Sequence, residues 1–471
     1  MTSAVVVGSG PNGLAAAVRL AQEGISVRVL EAEPRIGGGS RSSALTLPGL
    51  VHDECSAFHP MAVASPFLSS LGLERHGLRW RWPEVELAHP LDGGRAAILR
   101  RDLGETASGF GAGGRSWSAT VGATARRFDE LVPDLLGPVV HVPRRPAAFA
   151  RFGALAALPA TTLTRAWKDE PARALFAGIA AHAFARLDAP FSSAVGLVLG
   201  AAAHAVGWPV AEGGSQKIAD ALVARLVELG GSVETGVRVD RAEDVGHADL
   251  LLLCVAPGAA ARILAGRLPT AVARSYSRYR HGPAAFKVDY AIEGEVPWAA
   301  PDVRRAGTVH VGGTFDEIAQ SEEQAVRGRM SARPFVLVGQ QFVADPQRSS
   351  GGLNPLWAYA HVPNGYAGDA TEAVTAQIER FAPGFRSRIR AVSVRTVAQA
   401  EAHNANCVGG DVAGGANVAR QLVFRPRAAA DPYATGIPGV FLCSASTPPG
   451  GGTHGMAGFH AAERALAHLR R

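Results

Sequence analysis

Residues 4–31 read AVVVGSGPNGLAAAVRLAQEGISVRVLE, and the fold of the chain can be inferred outward from them. The apolar run Ala4–Val7 predicts a strand buried on both faces. Leu14–Gln22 has the apolar spacing of a helix, which Gly24 ends. Val27–Leu30 predicts a second strand. The order strand, tight turn, helix, strand predicts the start of a parallel α/β sheet.

The turn after the first strand has the pattern Gly8-x-Gly10-x-x-Gly13. Gly8 permits the tight turn, Gly10 lets the backbone approach a pyrophosphate, and Gly13 allows close helix–strand packing. The N–H groups at the helix start would face the phosphates. Glu31 follows about 20 residues on, where its carboxylate can accept the ribose hydroxyl groups of an adenosine and would repel a 2′-phosphate. The pattern predicts a dinucleotide site.

A second glycine cluster, Gly37–Gly39, follows Glu31 closely, and NAD does not need such a cluster. It suits a longer cofactor, FAD, with Arg41 and the glycine backbone near its phosphates and ribityl chain. A flexible surface loop is the structural alternative. An NAD dehydrogenase also stays open, but the C-terminal glycine-rich loop Pro448–Gly452 disfavours it.

Two further regions continue the α/β pattern. Gly213-Gly214-Ser215 opens a helix whose apolar stripe precedes two predicted strands, Val233–Val239 and Leu250–Val255. Near the C-terminus a strand is predicted at Gly439–Cys443, with a helix from about Gly455 to Leu469. We therefore expect one discontinuous FAD-binding domain made of residues 1–74, 206–274 and 401–471.

The two intervening blocks, 75–205 and 275–400, predict a substrate-binding domain inserted twice into the first. The first block is rich in alanine and is expected to be helical. The second alternates apolar and polar residues over 286–292, which predicts an antiparallel sheet. Side chains of the Ala-rich helices, including Phe184 and Phe191, would line an apolar pocket or form ordinary core.

Composition excludes several classes of function. Lys+Arg total 47 against Asp+Glu 41, a net charge of +6, and the arginines are scattered, so we expect no nucleic-acid partner. No two of the four cysteines form a C-x-x-C pair, which argues against a zinc knuckle or a redox dithiol and fits a reducing compartment. We expect no metal site.

The sequence also bears on location. The first strand begins at Ala4, so we expect no signal peptide. Ala189–Ala211 carries no charged residue but contains Pro190 and Pro209, which favours a buried helix over a membrane span. We expect a cytoplasmic protein, with peripheral membrane contact and the oligomeric state left open.

The chain resembles the superfamily of amine oxidases and phytoene desaturases, and within it the phytoene-dehydrogenase-related group, also named pyridine nucleotide-disulfide oxidoreductase domain-containing proteins. The resemblance covers nearly the whole chain. The motifs that carry it are His52-Asp53 through Phe67-Leu68, Ala88–Gly94, Trp357–Pro363, Asn406–Asp411 and Leu442–Met456. It implies an α/β fold: a FAD-binding Rossmann-like domain of the two-dinucleotide-binding, glutathione-reductase type, with an inserted α+β substrate domain.

The resemblance also implies roles for C-terminal residues. Ser444-Ala445 would lie along the pyrophosphate, and the N–H groups at Gly455-Met456 would face N1 and the C2 carbonyl of the flavin. Val237 would meet the adenine through its backbone. Many relatives carry an acid where this chain has Ser446-Thr447. With the motif residues, the predicted FAD contacts are Gly8, Ser9, Gly10, Pro11, Asn12, Gly13, Glu31, Ala32, Gly38, Gly39, Ser40, Arg41, Val237, Ser444, Ala445, Gly455 and Met456.

Lys287 is the first candidate for chemistry. Its setting, Phe286-Lys287-Val288-Asp289-Tyr290, resembles the amine oxidase strand whose lysine holds a water at flavin N5. The alternative is a snorkelling lysine or one in a salt bridge with Asp289. We expect the alternation of side chains along a strand to weaken that pairing.

Three histidines are further candidates for proton transfer. Strand alternation puts His361 on one face with Trp357 and Tyr359. His454 lies in the glycine-rich loop before the last helix, and His59 follows the N-terminal cofactor segment. A structural, hydrogen-bonded histidine is the alternative for each, and a shared function requires that the fold bring them together.

These observations predict an FAD-dependent oxidoreductase that desaturates or oxidises a small apolar or amine-bearing molecule. A redox-neutral flavin isomerase and a non-catalytic flavoprotein that binds a partner are the alternatives. The substrate, the electron acceptor and covalent attachment of the flavin are left open.

Overall fold

The computed structural model describes residues 2–138 and 140–470. In chain order the strands are β1 (Ser3–Val7), β2 (Ser26–Glu31), β3 (Ser42–Ser43), β4 (His52–Asp53), β5 (Trp80–Arg81), β6 (Val85–Leu91), β7 (Arg95–Leu99), β8 (Val210–Ala211), β9 (Ser232–Thr235), β10 (Leu250–Leu253), β11 (Ala284–Glu293), β12 (Ala306–Val311), β13 (Val336–Gly339), β14 (Leu353–Val362), β15 (Ile389–Arg395) and β16 (Val440–Leu442).

In chain order the α-helices are α1 (Pro11–Gln22), α2 (Pro60–Val63), α3 (Pro66–Ser70), α4 (Leu103–Gly109), α5 (Gly114–Ala119), α6 (Val121–Ala125), α7 (Phe128–Leu135), α8 (Pro146–Ala156), α9 (Ala160–Thr164), α10 (Glu170–Ala181), α11 (Ser192–Ala205), α12 (Gln216–Glu228), α13 (Pro257–Ile263), α14 (Thr270–Ser277), α15 (Phe315–Val326), α16 (Gln341–Ala344), α17 (Thr371–Phe381), α18 (Phe385–Arg388), α19 (Val397–His403), α20 (Ala419–Val423) and α21 (Met456–Leu469).

A five-stranded parallel sheet has the order β16-β10-β1-β2-β9. Its central strands are apolar on both faces because helices cover both sides: α1, α12 and α21 lie on one, and α13 and α14 on the other. All five strands come from the three segments expected to form the FAD-binding domain. The Rossmann-like α/β fold class is thus confirmed, whereas the domain boundaries stay a prediction.

A seven-stranded mixed sheet has the order β15-β11-β14-β13-β12-β6-β7. Its strands pair antiparallel except β6 and β12, which are parallel. The block 75–205 contains the expected helices, α4 to α11, but it also contains the strands β5, β6 and β7, for which the expectation of helix is wrong. All seven residues of β6 are buried, so the strand lacks the alternation that would reveal it.

The charge-free segment 189–211 contains α11, which packs against α10 over one face of the mixed sheet. Within the described ranges, no helix combines the length and the apolar character needed to cross a membrane. All four cysteines are free thiols.

Several predicted strands are longer than the observed ones. The strand expected at Val233–Val239 ends at Thr235, because Gly236 adopts a left-handed φ of +73°. The strands expected at Leu250–Val255 and Gly439–Cys443 are each shorter at their ends. Helix α1 begins at Pro11, three residues before the predicted Leu14, because Pro11 suits a first helical position.

A buried ionic network, which we call the Arg348 network, connects the chain segments that contain Asp53, Ala211 and Arg348. Arg348 Nη1 donates to Asp53 Oδ2 at 2.5 Å, Nε donates to Asp345 Oδ2 at 3.1 Å, and Nη2 donates to the Ala211 carbonyl at 2.7 Å. Asp53 Oδ1 accepts from Ser42 Oγ at 2.7 Å and from the Ser215 N–H at 2.8 Å. The network fixes the segment after the N-terminal glycine loops against the mixed sheet.

Candidate functional site

The N-terminal glycine turn has the geometry that its sequence requires. Gly8 has a φ of +100°, and a Cβ atom at Gly13 would lie 2.0 Å from the Gly8 carbonyl oxygen, so both positions need glycine. At Gly10, by contrast, a Cβ atom would meet only Gly38 Cα, at 4.0 Å. Gly10 is also the N-cap residue of α1 and provides no side-chain hydrogen bond to the helix. The turn therefore leaves free backbone at a helix N-terminus, where an anion would bind.

Glu31 lies at the end of β2 and its carboxylate already organises the turn. Oε2 accepts from the Ser9 N–H at 2.9 Å and from Ser9 Oγ at 2.5 Å, and Oε1 accepts from the Glu33 N–H at 2.9 Å. Oε2 therefore has two donors, whereas Oε1 has one and keeps capacity for a further donor such as a ribose hydroxyl. Ala32 lies between Glu31 and Glu33 in sequence. The Val237 N–H donates to the Glu31 carbonyl at 2.8 Å.

The second glycine cluster packs on the first. The Gly37 N–H donates to the Ser9 carbonyl and to Ser9 Oγ, each at 3.2 Å, and a Cβ atom at Gly38 would lie 3.0 Å from Gly10 Cα. Ser40 Oγ donates to the Gly37 carbonyl at 2.8 Å. Arg41 is buried, donating from Nε to the Gly38 carbonyl at 3.0 Å and from Nη2 to the His403 carbonyl at 2.9 Å. Its charge thus lies beside the loop where phosphates are expected.

The C-terminal segment returns to the same place. Helix α21 crosses α1 so closely that a Cβ atom at Gly458 would lie 1.7 Å from the Asn12 carbonyl oxygen. A Cβ atom at Gly455 would lie 2.9 Å from Ala15 Cβ. Ser444 and Ala445 follow β16, whose neighbour in the sheet is β10. The N-termini of α1 and α21 therefore lie side by side.

This arrangement fits FAD. The Asn12 side chain is buried, and its Oδ1 has no hydrogen-bond partner among the described residues, at the position where a dinucleotide would pass. Two adjacent helix N-termini can serve two negatively polarised parts of one long molecule, its pyrophosphate and its flavin edge. The Met456 N–H, expected to face the flavin, donates instead to His454 Nδ1 at 3.1 Å. Any contact with the flavin edge then passes to the next N–H groups of α21.

Lys287 lies on β11, directly opposite Tyr359 of β14, and is 6% exposed. Its Nζ forms an ion pair with Asp289 Oδ2. The expectation that strand alternation weakens this pairing is wrong, because residues two apart lie on the same face. Burial lowers the pKa of Lys287 below its usual value, and Asp289 opposes that shift. Nζ also lies 5.9 Å from the centre of the Trp357 ring.

His361 lies on the same face of the mixed sheet as Lys287. Its Nδ1 is 2.8 Å from Glu322 Oε1, and its ring stacks on Phe184 with 3.8 Å between centroids. Its Nε2 and Glu322 Oε2 are buried without partners among the described residues. Phe184 has a left-handed φ of +50°, a strained backbone of the kind that clusters at functional sites. A carboxylate-oriented imidazole with one free nitrogen can accept a proton.

The other two candidate histidines have different settings. His59 Nε2 is 2.8 Å from Ser215 Oγ, and burial lowers the pKa of His59 to about 4. Burial likewise lowers the pKa of His454 to about 4, so its neutral Nδ1 can cap α21. No hydrogen bond or ring contact joins His59, His361 and His454 within the part of the chain that the structure describes. The fold therefore does not bring the three histidines together, as a shared function would require.

A pair of histidines near His361 has no sequence signal. His182, after α10, and His310, on β12, are joined by their Nε2 atoms at 2.9 Å. Burial lowers the pKa of His182 to about 3 and that of His310 well below its usual value. The ring of Phe335 contacts both His310 and His361, with centroids 5.5 and 5.2 Å away. We call His182, His310, His361 and Glu322 the His361 cluster. Its members lie far apart in sequence, so no spacing predicts it.

These features define the fold as a Rossmann-like α/β fold with a second, mixed sheet beside the glycine loops. Residues 6–68 match the model of the NAD(P)-binding Rossmann-like domain family. The chain is 23% identical over 552 residues to the mouse pyridine nucleotide-disulfide oxidoreductase domain-containing protein 2, with 99% of this chain and 94% of the mouse protein covered. The resemblance inferred from the motifs is confirmed.

Solved structures share the fold over the full chain. An oxidoreductase from Methanosarcina mazei superposes with a TM-score of 0.66 at 15% identity, covering 99% of this chain and 100% of that one. Cyclohexylamine oxidase from Brevibacterium oxydans superposes with a TM-score of 0.59 at 17% identity, covering 100% of both chains. The solved structures show the amine oxidase type of fold, and each of these similar proteins is itself named as an oxidoreductase or an oxidase.

Proposed function

We propose that this protein is an FAD-dependent oxidoreductase that removes a hydride from a small apolar or amine-bearing substrate. The observation that carries the proposal is the convergence of the α1 and α21 N-termini at the two glycine loops, with Gly458 against Asn12. The cyclohexylamine oxidase that shares the fold is named for an amine substrate. Lys287 and His361 supply buried polar groups on the adjacent sheet face.

The residues that would hold FAD divide by the part of the molecule that each would bind. Glu31 would accept the ribose hydroxyl groups, and Val237 would lie beside the adenine. The Gly8–Gly13 turn and Arg41 would hold the pyrophosphate, with Ser444-Ala445 on its other side. Bound FAD would supply a hydride acceptor, whose chemistry belongs to the cofactor while the protein orients and shields it.

Lys287 would hold a proton or a water next to the reacting carbon. The ion pair with Asp289 fixes the ammonium group, while Asp289 Oδ1 lies 3.4 Å from His52 Nδ1 without a hydrogen bond. Burial lowers the pKa of Lys287, which makes proton release easier than from an exposed lysine.

His361 would take the proton that the substrate loses. When a C–H bond gives up a hydride, an adjoining N–H, O–H or C–H group must release a proton, and the free Nε2 of His361 can accept it. Glu322 holds the ring through Nδ1 and stabilises the positive charge that then forms. Phe184, Trp357 and Tyr359 would exclude water and contact the apolar part of the substrate.

The first test is the absorption spectrum of the purified protein before and after denaturation. We expect a flavin spectrum, or uptake of added FAD, and bleaching under anaerobic conditions by members of a panel of apolar and amine substrates. A colourless protein that cannot take up FAD would contradict the proposal. Product mass separates the alternatives: loss of two hydrogens supports oxidation, and unchanged mass supports isomerisation.

Lys287→Met tests the placement of the lysine. We expect reoxidation of the reduced protein by oxygen to slow on the order of 10²-fold, because one positioned proton donor near the reacting atoms is lost. Lys217→Met is the matched control, since Lys217 is half-exposed on α12 with only a 4.0 Å contact to Asp220. Equal rates for wild type and both variants would remove Lys287 from the site.

A further inference from the structure

Arg425 is a buried arginine, 3% exposed, in the segment that follows α20. Its Nη2 donates to Asn417 Oδ1 at 2.6 Å, and its Nη1 lies 3.4 Å from the Ala445 carbonyl oxygen. Its Nε has no acceptor among the described residues. No carboxylate of residues 2–138 or 140–470 lies within ion-pair distance of it.

The hydrogen bonds and the charge of the Arg425 guanidinium are only partly satisfied by the protein. This group offers five N–H donors and a full positive charge, yet its partners here are two neutral oxygens, one of them distant. A buried charge without a counter-ion is costly, so buried arginines are ordinarily paired. Asp411, the acid nearest in sequence to Asn417, accepts instead from the N–H groups of Gly282 and Ala413. An anion from outside the chain would complete the site.

The guanidinium lies between the C-terminal glycine-rich loop and the segment that carries Phe184. On one side, a Cβ atom at Gly450 would lie 2.8 Å from Arg425 Nη1, so the guanidinium faces the C-terminal glycine-rich loop. On the other side, Asn417 Nδ2 donates to the Ala183 carbonyl at 2.7 Å. Ala183 precedes Phe184, whose ring stacks on His361.

We propose that Arg425 binds the carboxylate of the substrate, which is then an apolar carboxylic acid. This inference rests on the proposed function and narrows its substrate class. A guanidinium pairs with a carboxylate through two parallel N–H···O bonds, and it can direct both Nε and a terminal nitrogen at one anion. The rings of Phe184, Tyr359 and Trp357 would contact the apolar part. The FAD pyrophosphate is the other source of the same negative charge, and the test separates the two.

Two probe pairs test the site, each a carboxylate with its neutral amide: benzoate with benzamide, and decanoate with decanamide. Binding is followed by calorimetry and by the change in flavin absorption of the FAD-loaded protein. We expect at least one carboxylate to bind about tenfold or more tightly than its amide, as a charge-assisted hydrogen bond predicts. Equal affinities within both pairs would overturn the proposal.

Variants then assign the effect to the residue. Arg425→Gln is expected to lose the carboxylate preference while FAD content and circular dichroism stay unchanged, and Arg425→Lys to retain part of it. Arg427→Gln is the matched control two residues away: Arg427 Nη2 donates to the Ala434 carbonyl at 2.9 Å and its Nε also lacks an acceptor among the described residues, but the residue is only partly buried, so Arg427→Gln should keep the preference. If Arg425→Gln keeps the preference, or loses FAD instead, the arginine does not bind the substrate carboxylate.

The proposed function can fail separately. If the protein takes up no FAD, the oxidoreductase proposal fails, but calorimetry of the two probe pairs on wild type and Arg425→Gln still measures the anion site. If FAD binds and the carboxylate preference is absent, only the substrate assignment fails.

Discussion

The Arg348 network and the His361 cluster are both buried, but they differ in how completely their polar atoms are paired. In the Arg348 network, Asp53 and Asp345 share one arginine; Asp53 Oδ1 also accepts from Ser42 Oγ and the Ser215 N–H, and Asp345 Oδ2 also accepts from the Gly213 N–H. In the His361 cluster, His310 Nδ1, His361 Nε2 and Glu322 Oε2 have no partner within the described residues.

The difference separates a structural role from a chemical one. A fully paired buried network fixes geometry and has no atom left to bind a substrate. An incomplete one is costly to bury, so its open atoms point to a partner that arrives from outside or to a proton that moves. Arg425 belongs with the second kind, because it is buried like Arg348 but lacks the two carboxylates that pair with Arg348.

The largest expected effect on stability is in the Arg348 network. Arg348→Met would leave Asp53 and Asp345 buried without their counter-charge, so we expect the free energy of unfolding to fall by roughly 3–5 kcal/mol. Arg425→Met, made in the protein without ligands, removes a charge that has no counter-ion and leaves only the neutral Asn417 Oδ1 without its donor, so it should cost less, about 1 kcal/mol. Urea denaturation followed by circular dichroism measures both. Equal losses would contradict the distinction between the two regions.

The sequence is sufficient for the local parts of the site. The glycine spacing, Glu31 and the position of Gly24 follow from backbone requirements within about 30 residues, and they predict β1, α1 and β2. The alternation of residues 286–292 predicts β11 for the same reason. The face shared by Trp357, Tyr359 and His361 also follows from the two-residue period, and their rings contact in the structure.

The parts that the sequence does not predict depend on contacts between distant residues. His182 and His310 are 128 positions apart, and neither lies in a pattern that distinguishes it from an ordinary core histidine. The parallel pairing of β6 with β12 joins segments about 220 residues apart (Val85 with Ala306), so no local period reveals it. Arg425 lies in a short irregular segment, where burial is decided by the loops that fold over it.

The stability of the folded protein is expected to depend on pH through Glu86. Glu86 Oε2 accepts from the Trp208 N–H at 2.6 Å, and the Trp208 ring contacts His182 and His310. Burial raises the pKa of Glu86 to about 7, and the Trp208 N–H only partly opposes this. A carboxyl group with a raised pKa in the folded state stabilises the fold below about pH 4.5, and that contribution is lost as the pH rises through 7.

Glu86→Gln should therefore gain stability relative to wild type between pH 4.5 and pH 8, by a total of ~3 kcal/mol. Thermal midpoints measured across that range check it, and Glu84→Gln, at an exposed neighbour, is the control. Asp53 should behave oppositely: burial raises its pKa, but Arg348, Ser215 and Ser42 overcome this and hold the pKa below its usual value. Its contribution is present above pH 3.8 and is lost as the pH falls. Parallel pH profiles for Glu86→Gln and wild type would show that Glu86 is ionised in the folded state.

The smallest effect on stability is expected at Glu322. Glu322→Gln keeps an oxygen for His361 Nδ1 and removes a buried charge whose Oε2 is unpaired, so we expect the free energy of unfolding to change by less than about 1 kcal/mol. Substrate oxidation should nevertheless slow on the order of 10²-fold in kcat, with KM nearly unchanged, because the imidazolium formed on His361 loses its counter-charge. Asp53→Asn is the matched change in the closed network, and it should lower stability by several kcal/mol. If Glu322→Gln destabilises the protein as much as Asp53→Asn and leaves kcat intact, then both regions are structural, and the unpaired atoms of the His361 cluster do not mark the place where a proton is transferred.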